Sequence, residues 1–276
     1  VLLVGLDDRI GLEWPRFFRH VASLALGWYR GRVMPLLAPA HVVLRGVPLA
    51  IDPVEVRAFQ GYKPLALLAP GELDARLAAA REVVAGLARP ALAYRVVPVT
   101  DAGPDHLGLA GGHRFHIPAI GAHWGAVAAV AAAVVTIGDG AEAAVRARRA
   151  AGDGAGASDL DSAGSAAVEC LAEWANDELC RRGVAAGLRV TNRISPGLAG
   201  WRVADQPQLV TLADGAALGI RQDADGTLVP AKTISFLAGI GRKARVDHYF
   251  VQCRRCWVEG CPWRRMPAVA RVHRDD

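Results

Sequence analysis

The stretch from Ile120 to Gly138 is the most apolar in the chain, dense in alanine and valine, and it limits what the rest can be. Alanine contributes little to membrane insertion, and Gly121, His123 and Gly125 interrupt the run, so a membrane span is not expected. The stretch reads instead as a buried helix running into a strand, closed by Thr136-Ile137-Gly138. Such a segment needs a sizeable core around it. With 276 residues, 52% of them hydrophobic and 21% charged, the chain can supply that core as one large domain or two small ones.

The surrounding sequence alternates strand and helix signals without a regular pattern. Val42-Val43-Leu44 reads as a strand, with a turn at Gly46. Asp52-Pro53 marks a helix start, with Asp52 as N-cap, Pro53 at the first helical position and Glu55 close behind; Gly61 suits the helix end. A second helix is predicted from Gly71 to Leu87, with Leu73, Leu77, Val84 and Leu87 on one face. Tyr94 to Val99 reads as a strand, and residues 101–118 as a loop.

Ala141 to Ala150 reads as a basic exposed helix, and Gly152 to Gly156 as a flexible break. Asp159 or Asp161 then caps a long helix to about Arg182, ended by Gly183, with Val168, Leu171, Trp174 and Leu179 at helical spacing. A doubly wound parallel sheet would need more regular alternation. The predicted class is therefore α+β, an antiparallel or mixed sheet backed by helices. Residues 1–40 read as an N-terminal extension, 41–265 as the body with a sub-boundary near 120–158, and 266–276 as a basic tail.

Two segments carry chemistry. In Arg193-Ile194-Ser195-Pro196-Gly197, proline biases Ser195 toward an extended conformation and Pro-Gly forces a turn. Gly197 would let the backbone approach a ligand closely, and Arg193 could form a bidentate pair with a carboxylate. The alternative is an ordinary Ser-Pro-Gly turn with an arginine salt bridge, and Glu169 on the long helix likewise reads as a salt-bridge residue. In Cys253-x2-Cys256-x4-Cys261, the first two thiols can converge on one metal and the third can add a ligand. A closed zinc site would need His248 or His273 as well, and an iron–sulfur cluster with one open iron is equally compatible. Arg254, Arg255, Arg264 and Arg265 would favour thiolates, which also suits thiol–disulfide exchange. Cys170 and Cys180 read as core packing, and His106, His113, His116 and His123 as loop polarity.

These segments, with Trp201, Gln206 and Pro230-Ala231-Lys232-Thr233-Ile234-Ser235, resemble the activation domain of cobalamin-dependent methionine synthase. Ile51 to Val56, Asp161 to Glu169, Arg193 to Gln206, Gly219 to Ser235 and Cys253 to Arg264 occur in the order seen in stand-alone relatives of that domain. The family's Arg-x-x-x-Gly-Tyr motif reads Arg193 to Leu198 here, with leucine replacing tyrosine. Asp223-Ala224-Asp225 stands where methionine synthases carry Thr-Glu-Ser, and Asp225-Gly226 is a turn signal.

The resemblance implies S-adenosylmethionine bound through Arg193, Ser195, Gly197 and Leu198, and an activation-domain-like fold. No corrinoid-anchoring Asp-x-His-x-x-Gly motif is present, so cobalamin would arrive on a partner methyltransferase or corrinoid protein, with an electron-donor protein also implied. The expected function is reductive methylation of that cobalamin, as a methionine synthase-related methyltransferase component. A metal-binding or thiol-redox interaction protein on the same fold is the alternative. The excess of 32 basic over 27 acidic residues is modest and aromatics are only 6%, which argues against nucleic acid. Five cysteines and the lack of a basic n-region point to the cytoplasm.

Overall fold

The computed structural model describes residues 41–60, 71–198 and 200–246. Cys253, Cys256, Cys261, His248, His273, the 1–40 extension, Gly61 and the 266–276 tail lie outside the described residues. In chain order the elements are β1 (His41–Arg45), α1 (Pro53–Gln60), α2 (Glu72–Leu87), β2 (Ala91–Ala102), β3 (His106–Leu109) and β4 (His113–His116). There follow α3 (Ile120–Trp124), β5 (Gly125–Ala126), β6 (Ala129–Thr136), α4 (Gly140–Ala150), α5 (Gly154–Ala185) and β7 (Arg189–Val190). The last are α6 (Gln206–Leu212), β8 (Arg221–Gln222), β9 (Leu228–Val229), β10 (Thr233–Gly241) and β11 (Lys243–Ala244).

The apolar stretch divides as its composition suggests. A short helix, α3, buries Ile120 and Trp124, and the chain then enters β6, all of whose side chains are buried. This strand lies in the middle of an antiparallel sheet ordered β4-β3-β2-β6-β10-β7, with β1 beside the first half of β2. Alanine suits the middle because its neighbours are large: Ala133 lies between Tyr94 of β2 and Phe236 of β10. Burying Phe236 and rings like it contributes about 1.5–3 kcal/mol each.

Both faces of the sheet are covered, which is why β6 carries no polar face. Against one face, α1, α2, α4 and α5 pack on Leu92, Tyr94, Ala133, Val135 and Phe236. Against the other lie α3, α6, Trp201 and Phe115, over Val130, Val134 and Leu237. The α+β expectation, an antiparallel sheet backed by helices, is met.

Two local expectations are corrected. Residues 101–118 are not a loop: β2 runs to Ala102, and β3 and β4 form a hairpin with His106 opposite His116. Glycines and histidines obscure the alternation there, but Leu107, Leu109 and Phe115 are buried. Likewise, the break expected over Gly152–Gly156 is shorter: Ala151 and Gly152 form the turn between α4 and α5, and residues 154–156 are already helical. Asp153 caps α5 by accepting the Gly156 amide at 2.8 Å, so neither Asp159 nor Asp161 is the cap. A Cβ on Gly156 would fall 2.3 Å from the Asp153 carboxylate, so the glycine is what admits the cap.

The far end of α5 runs past Gly183 to Ala185. Leu188 donates to the Gly183 carbonyl and Gly187, at φ +67°, donates to that of Val184, a Schellman ending. Asp52 caps α1 as expected, accepting the Val54 amide at 2.8 Å.

Candidate functional site

Beyond β7 the chain stays beside β10. Thr191 Oγ1 accepts the Gly239 amide, and Ile194 and Leu237 exchange both backbone hydrogen bonds at 2.9 Å. Pro196 and Gly197 then close a turn in which Leu198 donates to the Ser195 carbonyl at 3.1 Å. Gly197 is exposed at φ +89°, which with proline before it makes a type II turn. The Gly197 amide donates to the Trp201 carbonyl at 2.8 Å. Trp201 itself is buried edge-on against Phe115, centroids 5.5 Å apart, and its Nε1 donates to Asp205 at 2.9 Å. The turn is thus pinned from beneath by an aromatic anchor.

Arg193 points the other way, toward α5. Its Nη2 lies 2.5 Å from Glu169 Oε1 and 2.6 Å from Glu173 Oε1, and the guanidinium sits 6.0 Å from the Phe236 ring centroid. Burial alone would push the arginine pKa down, but the two glutamates outweigh it and hold it above the ordinary value. The Arg193 side chain is 3% exposed, Glu169 is 20% and Glu173 is 58%. Among the described residues two carboxylates meet this guanidinium, and the outer one, Glu173, reaches solvent. Arg193 therefore meets carboxylates of its own chain, the arginine salt bridge that the sequence offered as the alternative to a ligand contact.

Asp161, Ser165, Glu169 and Glu173 follow at four-residue intervals, a single polar stripe on α5. The stripe takes one cation from each arm flanking β10: Arg193 at its C-terminal part, Lys232 at its N-terminal part. Lys232 Nζ lies 2.8 Å from both Asp161 Oδ1 and Ser165 Oγ. Glu173, Ser165 and Lys232 carried no role in the sequence reading, although Glu173 and Ser165 follow from four-residue spacing about Glu169.

Ser195 Oγ and Ser235 Oγ are buried with no hydrogen-bond partner among the described residues. An unsatisfied buried hydroxyl costs about 1–3 kcal/mol. Around Ser195 the segment offers a polar ligand an exposed left-handed glycine and an orphaned hydroxyl, and Arg193 in the same segment holds the solvent-facing Glu173. Leu198, half-buried in the turn, offers an apolar contact only.

Other residues singled out from sequence have local partners. His106 Nε2 is 3.0 Å from Asp101, His113 Nδ1 is 3.3 Å from Gln208, and no group of three metal ligands forms among the described residues. Burial pushes the Cys170 and Cys180 thiols up to about 11, as befits core packing. Asp223 accepts the amides of Asp225 and Thr227 within the β8–β9 hairpin, around Gly226 at φ +81°. Among the described residues a groove of about 260 Å³ is lined from α1 and α2, by Val54, Arg57, Leu77 and Arg81 among others. Among the described residues no helix is long and apolar enough to cross a membrane.

No protein-family model matches this chain, and no curated protein matches it. Among solved structures it is similar to the MetH reactivation domain bound to AdoHcy, with a TM-score of 0.52 and 13% sequence identity. The match covers 79% of this chain and 82% of that one. The two share a fold: this is a protein with a reactivation-domain-like α+β architecture.

Proposed function

We propose that this protein is an activation-domain-like component that binds S-adenosylmethionine at the Ser195–Trp201 turn. It presents the donor, in the cytoplasm, to a cobalamin carried by a partner methyltransferase or corrinoid protein. The observation that carries this reading is the exposed turn at Gly197, in the same segment as Arg193 whose partner Glu173 reaches solvent, on a fold shared with a domain that binds AdoHcy.

When bound, S-adenosylmethionine supplies an electrophilic methyl group, and the reduced cobalt of the partner supplies the electron pair. No protein base is required, which agrees with a site built from a turn and a stripe of ion pairs. In this reading Arg193 holds Glu169 and Glu173 in place instead of gripping the ligand carboxylate. Glu173 attracts the cationic end of the donor, Gly197 admits it to the backbone, and Ser195 offers the hydroxyl. Cys253, Cys256 and Cys261 would hold zinc or an iron–sulfur cluster, or pass electrons from a donor protein.

Calorimetric titration of anaerobically purified protein tests the reading. Saturable binding of S-adenosylmethionine that weakens in Glu173→Gln is expected; no binding at millimolar ligand would sink it. A second reading, a metal-binding or thiol-redox interaction protein without donor turnover, is favoured by Leu198 in place of the motif's tyrosine and by the enclosure of Arg193. It would then bind metal or exchange disulfides while ignoring the donor.

A further inference from the structure

We propose that Lys232 is a positioning residue for the ligand turn, clamping the strand edge beside that turn to the same helical stripe that holds Arg193. The proposal rests on the reading of the turn as a ligand site.

Lys232 is the residue before β10, and every polar group it has is engaged. Its Nζ donates to Asp161 Oδ1 at 2.8 Å, to the Asp161 carbonyl at 3.2 Å and to Ser165 Oγ at 2.8 Å. Its amide donates to Glu142 Oε1 of α4 at 2.9 Å. Its carbonyl accepts from the Ile137 amide at 3.2 Å and from Thr136 Oγ1 at 3.3 Å. One residue thereby joins α4, α5 and the end of β6.

The helix is cut to receive it. Gly164, buried in the interior of α5, would carry a Cβ only 3.1 Å from Lys232 Cε. An interior helical glycine costs about 1 kcal/mol against alanine. The lysine stem lying in that notch gives the glycine a reason.

The edge that Lys232 starts is the one the ligand turn lies against. On one side β10 pairs with β6 from Thr233 to Ile240. On the other its described partners stop at Ile194, opposite Leu237, so no described strand lies beside Thr233 to Phe236. Ser195 and the turn follow directly from Ile194, the last described residue bonded to this edge. Paired on the β6 side alone among the described residues, this part of the edge is held further by what grips the chain at Lys232 and, on the neighbouring segment, at Arg193. Those grips are Arg193 on Glu169 and Glu173, and Lys232 on Asp161 and Ser165. Because all four partners lie on one stripe, their spacing along α5 sets where Ser235 stands relative to the turn.

Hydrogen exchange and donor titration on the full chain test this with Lys232→Met, which keeps the stem and removes the charge, and with Lys232→Arg, which keeps the charge. In Lys232→Met, the amides of Thr233 to Phe236 should exchange about tenfold faster while those from Gly239 to Gly241 hold their rates. The affinity for S-adenosylmethionine should fall about tenfold, and Lys232→Arg should recover most of both effects. Faster exchange spread over all strands, no change at Thr233 to Phe236, or undiminished affinity in Lys232→Met would each overturn the proposal. If the unmodified protein binds no donor, the functional reading fails, and the exchange pattern alone still decides whether the clamp exists.

Discussion

Two buried ion clusters on α5 differ in a way that separates a strut from a site. At Asp159, near the helix start, one carboxylate receives Arg76 through Nε and Nη2 at 2.9 and 2.6 Å, and Gln60 at 2.8 Å. Charge is matched one to one, and the Asp159 side chain is 7% exposed. At Arg193, three turns further along, one guanidinium receives two carboxylates and the outer one reaches water. The first cluster has all it needs within the chain and ties α1 and α2 to α5. The second holds an exposed carboxylate, Glu173, which a cation can reach. Burial of the charges at the centre does not distinguish the two; access to the outer carboxylate does.

The largest effect should come from breaking the second cluster at its centre. Arg193→Met leaves Glu169 and Glu173 facing one another, and should lower stability by about 3–5 kcal/mol in urea unfolding. Asp159→Asn should cost less, about 2 kcal/mol, because half-open Arg76 can rehydrate, and donor titration should be unchanged. If Asp159→Asn abolished donor binding as well, the distinction between strut and site would collapse.

A smaller loss, about 1–2 kcal/mol, is expected for Gly197→Ala, since φ +89° strains any side chain and the new Cβ would lie 3.3 Å from Val203. Here affinity should suffer more than stability if the turn touches the ligand. Alkaline conditions probe the neutral packing along α5 instead of its ion clusters. Cys170 and Cys180 hold their protons to about 11 when folded, against 9.0 as the ordinary value. Above pH 9 the unfolded chain therefore releases protons that the folded one retains, and stability should fall progressively toward pH 11. Serine at both positions should flatten that decline in thermal melts.

The smallest stability change, within about 0.5 kcal/mol, is expected for exposed Glu173→Gln, yet this variant should reduce donor affinity about tenfold. Equal, negligible effects on stability and binding would reduce the second cluster to another strut.

Features that depend on neighbours in sequence were legible beforehand. The apolar stretch announced a buried helix and strand, Asp52-Pro53 announced α1, and Pro196-Gly197 announced the turn. In each case the deciding interaction spans a few residues, so local stereochemistry and hydropathy suffice. The β3–β4 hairpin was missed because only Leu107, Leu109 and Phe115 carry its alternation. The start of α5 was missed because glycine, read as a breaker, here clears space for the Asp153 cap.

The pairing of charges lay beyond the sequence. Arg193 reaches Glu169 and Glu173 across twenty or more positions, and Lys232 reaches Asp161 across 71. Composition and spacing determined that this chain forms an α+β core around Ile120–Gly138 and makes a Pro-Gly turn after Arg193. Only the tertiary structure decided that Glu169 and Glu173 are the partners of Arg193 and that Glu173 faces outward. Coulomb energy depends on distance in space and on desolvation, and both exist only once α5 and β10 have packed.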